Sequence, residues 1–423
     1  MFSLIRATPH DGAACADAGR VTETQLQSTD GSTGNAARWA GVGTSILDDS
    51  YAAGSSAAAE ADESGNANLF LVFAGHLHDH EALLSGVASV ASSEASVVGC
   101  STGGEIGVAG PTDNGVVVMA VGGDGISFAS RCADVVGGDL RTAGEVAADA
   151  VWDVEHRGHT VLLLLSDGLA GDQQEVVRGA YATTGATIPL VGGCAGDGME
   201  MAQTTLFHAN KGGSRIGGNQ VIGVAISSVA PLGIGVFHGW EAVGDAVLIT
   251  KSVGNVIYEI DEEPALDRYL RLHGAPVDLA DDADAFTQFA ATHPIGISRR
   301  SRQEVRFISS ADPEMRTITS IAGVPQGVIA YAMEGSAESV LDATDIACAD
   351  ALDQIDGPPV AVLAFDCVAR RGVMGEDGIA AEVGRIRDRV GAPIAGFYTY
   401  GEFARVAGAS GFHNQTLVTL AIG

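Results

Sequence analysis

Three stretches of the chain are apolar without interruption: LFLVF at 69–73, VLLLL at 161–165 and VAVLAF at 360–365. Short runs with no polar alternation fit strands covered on both faces. Each run leads into a polar or glycine-containing loop and then into a segment with helix signals, at 79–91, 172–184 and 376–390. In the third segment Ile379, Val383, Ile386 and Val390 recur at helical spacing, while Asp79 and Asp172 stand where N-caps of the first two belong. A second short strand follows each time: SVVG at 96–99, IPLVGG at 188–193 and PIAGF at 393–397. Strand, helix and strand joined by short loops predict βαβ units with parallel pairing. The pattern reads as one unit used three times.

Between the units lie glycine-bounded strand candidates at 115–121, 220–227, 327–333 and 416–422, which read as antiparallel pieces. Residues 336–355 form an amphipathic helix with Val340, Leu341, Ile346 and Leu352 apolar. The acidic segment 278–285 is a solvated loop or a helix start. An alanine-rich helix follows Trp39. Residues 1–36 are polar and small and read as a flexible tail. With 423 residues the chain exceeds one ordinary core. The expected fold is α/β with two domains, 37–232 and 233–423, built from repeated βαβ-type units with mixed sheets flanked by helices.

Charge narrows the function classes. Acidic residues number 53 against 23 basic ones, for a net charge of −30, and the only lysines are Lys211 and Lys251. So acidic a surface repels itself unless salt screens it, which points to a protein of halophilic type. The acids are spread along the whole chain, and a basic face for nucleic acid is not in view. The six cysteines show no C-x-x-C pair and read as reduced thiols. No apolar run reaches the ~18 residues of a membrane helix. Arg6, Pro9, His10 and Asp11 interrupt any signal-peptide core, so the cytoplasm is the expected location.

The candidate chemistry sits where two copies of the unit match. Gly99-Cys100-Ser101-Thr102-Gly103-Gly104-Glu105 aligns with Gly396-Phe397-Tyr398-Thr399-Tyr400-Gly401-Glu402, and VGGCAGDG at 191–198 is a divergent third copy offering Asp197. All three lie past the carboxyl end of a strand, where α/β sheets bind ligands. Glu105 and Glu402 can accept from a ligand ammonium group, or else from backbone N–H groups of their own turns. Ser101, Thr102, Gly103, Tyr398 and Tyr400 are pocket candidates. Arg370-Arg371 can clamp a carboxylate or serve as a surface ion pair. His413 and Asn414 open the last strand beside the second Gly-Glu turn.

Other readings compete. Cys100 facing His413 would make a Cys-His enzyme, although buried small cysteines are far commoner. No P-loop, G-x-S-x-G or G-x-G-x-x-G after a strand occurs. His76, His78 and His80 alternate in HLHDH, but a strand-to-helix loop explains them without a metal.

GVGTS, VVGCSTGGEIG and PLVGGCAGDG resemble the amino-terminal domain of the FIST family. GWEAVG, VGNVIYEIDEEPALDRYL, DCVARR, GFYTYGEF and FHNQT resemble its carboxy-terminal partner. The likeness runs from about residue 38 to the end, in the family's order. It implies a sensory domain for a small molecule, with amino acids the proposed ligands; with the catalytic motifs above missing, no activity as an enzyme is expected. Some members bind haem as nitric-oxide sensors, which here would need an axial histidine such as His238, His293 or His413. With no kinase or cyclase segment in view, the resemblance implies a signalling partner in trans.

Overall fold

The computed structural model describes residues 37–299, 302–405 and 411–423, so the expected tail at 1–36 lies outside the described residues. The three predicted units fold alike, and each forms the body of its own six-stranded mixed sheet. In the first repeat Trp39–Ser45 lies antiparallel to Val116–Gly122, which lies antiparallel to Leu69–Ala74, which pairs in parallel with Ser96–Ser101. The second repeat places Ile126–Asp134, Gln220–Ser228, His159–Ser166 and Leu190–Cys194 in the same order. The third does so with Leu232–Phe237, Leu417–Ile422, Ala361–Cys367 and Ile394–Thr399.

The last two strands of every sheet come from a different repeat. Past Ser101 the chain leaves its own sheet, and the hairpin Glu105–Gly107 and Gly110–Thr112 pairs with Ile394–Thr399 of the third repeat. The hairpin Glu402–Arg405 and Phe412–His413 pairs with Leu190–Cys194 of the second. The hairpin Leu206–Asn210 and Gly213–Gly217 pairs with Ser96–Ser101 of the first. The exchange therefore runs round a closed ring.

Alternation within the apolar runs explains how both faces are used. Leu69, Leu71 and Phe73 share a core with Val161, Leu163, Leu165, Ala361, Leu363 and Phe365, so one face of every sheet turns to a common interior. The intervening Phe70 and Val72, Leu162 and Leu164, and Val362 and Ala364 face the helices. Gly99, Gly192 and Gly396 occupy equivalent places in the second parallel strand. A Cβ there would stand 1.9, 2.0 and 1.9 Å from the carbonyl oxygens of Val72, Leu164 and Ala364. Backbone contact that close admits only glycine.

Three local expectations are corrected. The strand predicted at 327–333 is Ile329–Glu334, and it belongs to a further sheet inserted between Leu232–Phe237 and the helix Ala337–Leu352. That insertion has its own core around Leu266, Tyr269, Phe286 and Ile295. Asp172 does not cap its helix. Gln173 holds the cap position without a side-chain bond, and Asp172 accepts from the Gln174 N–H one residue further on. The third helix starts early, at Val368, and is broken at Gly375, whose φ of 67° is left-handed. Within the acidic segment Asp282 caps the helix Ala283–Ala291.

Candidate functional site

The three crossing segments meet where they leave their sheets, joined main chain to main chain. Gly103 N–H donates to the Tyr398 carbonyl and Tyr398 N–H to the Gly104 carbonyl, both at 2.8 Å. Gly196 and Gly198 donate to the carbonyls of Ser101 and Thr102 at 3.0 Å each. Cys194 N–H donates to the Gly401 carbonyl at 2.8 Å, and Tyr400 N–H to the Cys194 carbonyl at 3.2 Å. Ser101 Oγ adds a bond of 2.7 Å to the Gly196 carbonyl. The glycines make the approach feasible: a Cβ on Gly196 would lie 2.9 Å from Gly103 N. The matching turns thus converge, and they do so through their backbones.

The two glutamates turn inward. Glu105 Oε1 accepts from Thr102 Oγ1 at 2.5 Å, and Oε2 accepts from Thr112 Oγ1 at 2.8 Å and Gly115 N–H at 2.7 Å. Glu402 repeats the design, with Thr399 Oγ1 at 2.5 Å and Thr416 N–H at 3.2 Å. Both side chains are fully buried. Burial pushes Glu105 up to about 7 and Glu402 up to about 8, despite hydrogen bonds that favour the charged form. Each acid therefore binds its own turn, the alternative that sequence reading left open. Asp197 behaves oppositely. Burial acts to raise it, but bonds from Tyr400 Oη and the N–H groups of Gln203, Ala202 and Met201 outweigh that and hold it below the usual range.

Arg370 is not available as a clamp. It is fully buried and lies 2.6 Å from Asp366 Oδ1 and 2.5 Å from Glu382 Oε1. The first of these is a close ion contact without hydrogen-bond alignment, because both atoms also stand without a bonded partner. Thr344 Oγ1 donates to Glu382 at 2.7 Å, and Tyr398 buries its hydroxyl unbonded beside the cluster. Burial drives Asp366 well above the usual carboxylate range, against the pull of Arg370. Arg371 is the reachable arginine. Its guanidinium carbon stands over Tyr398 with 4.7 Å to the ring centre, and it donates to the Gly103 carbonyl at 2.7 Å and pairs with exposed Asp113 at 2.8 Å.

Sequence reading missed Asp366 and Glu382. Their signal was present: Asp366 ends an apolar run, and Glu382 interrupts the apolar stripe between Ile379 and Val383. Cys100 lies fully buried among Phe73, Val98 and Leu206, and burial raises its thiol well above the ordinary value. His413 Nε2 instead lies 2.9 Å from the Ala404 carbonyl, and Asn414 Nδ2 donates to the His413 carbonyl. In HLHDH, His78 contacts Ser50 Oγ and the Asn114 carbonyl, His80 the Gly75 carbonyl and His76 Glu200. Among the described residues no group of three or more His, Cys, Asp or Glu side chains is arranged to hold a metal ion. The three candidate haem ligands each have a ring nitrogen engaged within the fold. His238 Nδ1 accepts from Trp240 N–H, and His293 Nδ1 lies 2.7 Å from the Phe289 carbonyl.

Comparison with known proteins agrees with this architecture. The FIST N domain model matches residues 68–263 and the FIST C domain model matches residues 265–405. An uncharacterized protein of Mycobacterium tuberculosis strain CDC 1551/Oshkosh is 25% identical over 388 residues, covering 89% of this chain and 97% of the relative. Its counterpart in strain ATCC 25618/H37Rv matches to the same extent.

Proposed function

The chain belongs to the FIST family of sensory, small-ligand-binding domains, and from that premise we propose that it senses an amino-acid-like molecule and passes the signal to a separate protein. One observation carries the reading. Arg371 and Glu105 converge on the same short segment, Thr112-Asp113, at the ring of crossing turns. Asp113 is exposed and holds Arg371 from outside, so a ligand carboxylate competes for that guanidinium with a bidentate geometry that suits it. Thr112, the part-exposed partner of Glu105, is the group that turns aside to let an ammonium reach the carboxylate. The wrong sign of ligand is repelled by the acidic surround. Binding there touches backbone bonds shared by the first and third repeats, which is how occupancy reaches other parts of the fold. Among the described residues no helix is long and apolar enough to cross a membrane.

Calorimetry with an amino-acid panel at high salt tests the reading. At least one member gives saturable heat in the native protein, and Arg371→Met weakens it by about tenfold or more, the loss of one charge-assisted pair. No heat and no melting shift with any member would sink it.

A further inference from the structure

The repeats act as controls for one another. Asp366 and Tyr398 are paired across the parallel strands of the third repeat, and the same two places hold Ala74 and Ser101 in the first and Ser166 and Cys194 in the second. The second repeat satisfies its place with neutral groups, Ser166 Oγ donating to Gln173 Oε1 at 2.5 Å. Only the third builds it from charge, so the fold itself does not demand charge there.

The charges do not balance. Nε and Nη2 of an arginine form one edge, which normally takes both oxygens of a single carboxylate. On Arg370 that edge takes one oxygen from each of two: Asp366 Oδ1 lies 2.6 Å from Nε and Glu382 Oε1 lies 2.5 Å from Nη2. The rest of the guanidinium is spent on the carbonyls of His238 and Val340 and on Thr344 Oγ1. Asp366 Oδ2, Glu382 Oε2 and the Tyr398 hydroxyl are left without a partner, each on a side chain that is 0% exposed. Buried polar atoms are normally bonded, and two carboxylates against one guanidinium leave a negative charge uncompensated in the interior. The other groups facing the pair do not supply a cation. Cys367, Cys348, Tyr398 and Glu402 are neutral or acidic. Arg371 is committed to Asp113 and the Gly103 carbonyl, Arg385 pairs with Asp342 and Asp345, and Arg389 is exposed. One proton between the two acids removes the surplus charge and provides the missing donor.

The acids sit on separable pieces. Asp366 lies near the end of the central strand Ala361–Cys367, whereas Glu382 lies in the helix Val368–Val390 beyond its break at Gly375, where φ is 67°. A Cβ on Gly372 or Gly375 would meet nothing within 4 Å, so no described neighbour clamps the break. We propose that Asp366 and Glu382 share one buried proton and that this proton latches the helical segment 376–390 to the sheet, the segment opening as the proton passes to solvent. Closed, the two acids cannot both ionise beside a single guanidinium. Open, they meet water and ionise at ordinary carboxylate values. Opening therefore becomes about tenfold more favourable per pH unit wherever the closed pair is protonated and the open acids are not. The latch loosens as pH rises and tightens as it falls.

Hydrogen exchange of the native full-length protein at high salt, read by mass between pH ~5.5 and ~7.5, tests this. The helix Leu140–Ala148, packed through Leu140, Ala143, Ala147 and Ala148, reports the ordinary rise of exchange with pH. Amides of 376–390 are expected to rise about tenfold more per pH unit than those of 140–148. Asp366→Asn keeps a donor for Glu382 and cannot titrate, so it is expected to bring the two slopes together. Equal slopes in the wild type would overturn the proposal, as would an undiminished excess in folded Asp366→Asn. Should that variant not fold, Glu382→Gln replaces it, and if neither folds the wild-type slopes alone decide.

Discussion

Glu105 offers a measurable consequence of burying an acid inside its own turn. Its ordinary value is 4.5, and in the fold it titrates near 7 because burial outweighs three hydrogen bonds. Between those values the folded protein holds a proton on Glu105 that the unfolded chain has lost. The unfolded state then binds fewer protons, so stability falls as pH rises. At ~1.4 kcal/mol per pH unit this group withdraws about 3 kcal/mol between pH ~4.5 and ~7, and nothing further above that. Glu105→Gln removes the titration while keeping the shape. The amide oxygen can stay toward Gly115 N–H and Thr112, while its NH₂ then meets the Thr102 hydroxyl, which loses its acceptor at a fixed cost of about 1–2 kcal/mol. Urea unfolding of both proteins at constant high salt, from pH ~5 to ~8, gives the difference directly, since all other titrations cancel. The wild type should start ahead of the variant and lose about 3 kcal/mol of relative stability across the window. A difference that stays level, or moves in favour of the wild type as pH rises, refutes the reasoning.

Two further outcomes are expected. Arg370→Met leaves Asp366 and Glu382 buried with no cation and should cost about 3–5 kcal/mol by chemical denaturation at neutral pH; a loss below ~1 kcal/mol would mean that the guanidinium does not hold this cluster together. Because the net charge is −30, melting temperature should climb steeply as salt is raised from a Debye length of ~10 Å to one of ~3 Å; a flat profile in scanning calorimetry would remove the inference that the chain is adapted to high salt.

The unit itself was legible in the chain because a strand covered on both faces cannot hide a polar residue. LFLVF, VLLLL and VAVLAF announced the central strands, while the close backbone packing at Gly99, Gly192 and Gly396 emerged only in the fold. The hairpin exchange was not legible. Pairing of Glu105–Gly107 with Ile394–Thr399 joins residues nearly 300 positions apart, and nothing local in EIG or GPT specifies a partner. Alignment of the two Gly-Glu turns found residues that do share one design. It did not reveal which way the carboxylates point, because that is decided by Thr102, Thr112, Gly115 and their counterparts, scattered along the chain. Arg370 and Arg371 are adjacent in sequence yet opposite in role, since a helix turns successive side chains by about 100° and sends one into the core and the other to the surface.

Pseudo-symmetry separates what the fold needs from what it carries. Features present three times, such as the close-packed glycine, the left-handed residue before the return strand and the exchanged hairpin, are explained by assembly alone. Features present once have no such explanation. The third repeat alone holds the Asp366, Arg370 and Glu382 cluster, and it alone has an inserted sheet over its strand end. Charge and cover coincide at one of three otherwise equivalent places. Burying ions costs several kcal/mol each, so this cluster works against simple stability. Arg371 extends from the same helix to the backbone of the first repeat. It links the helix that carries Arg370 to the ring of turns.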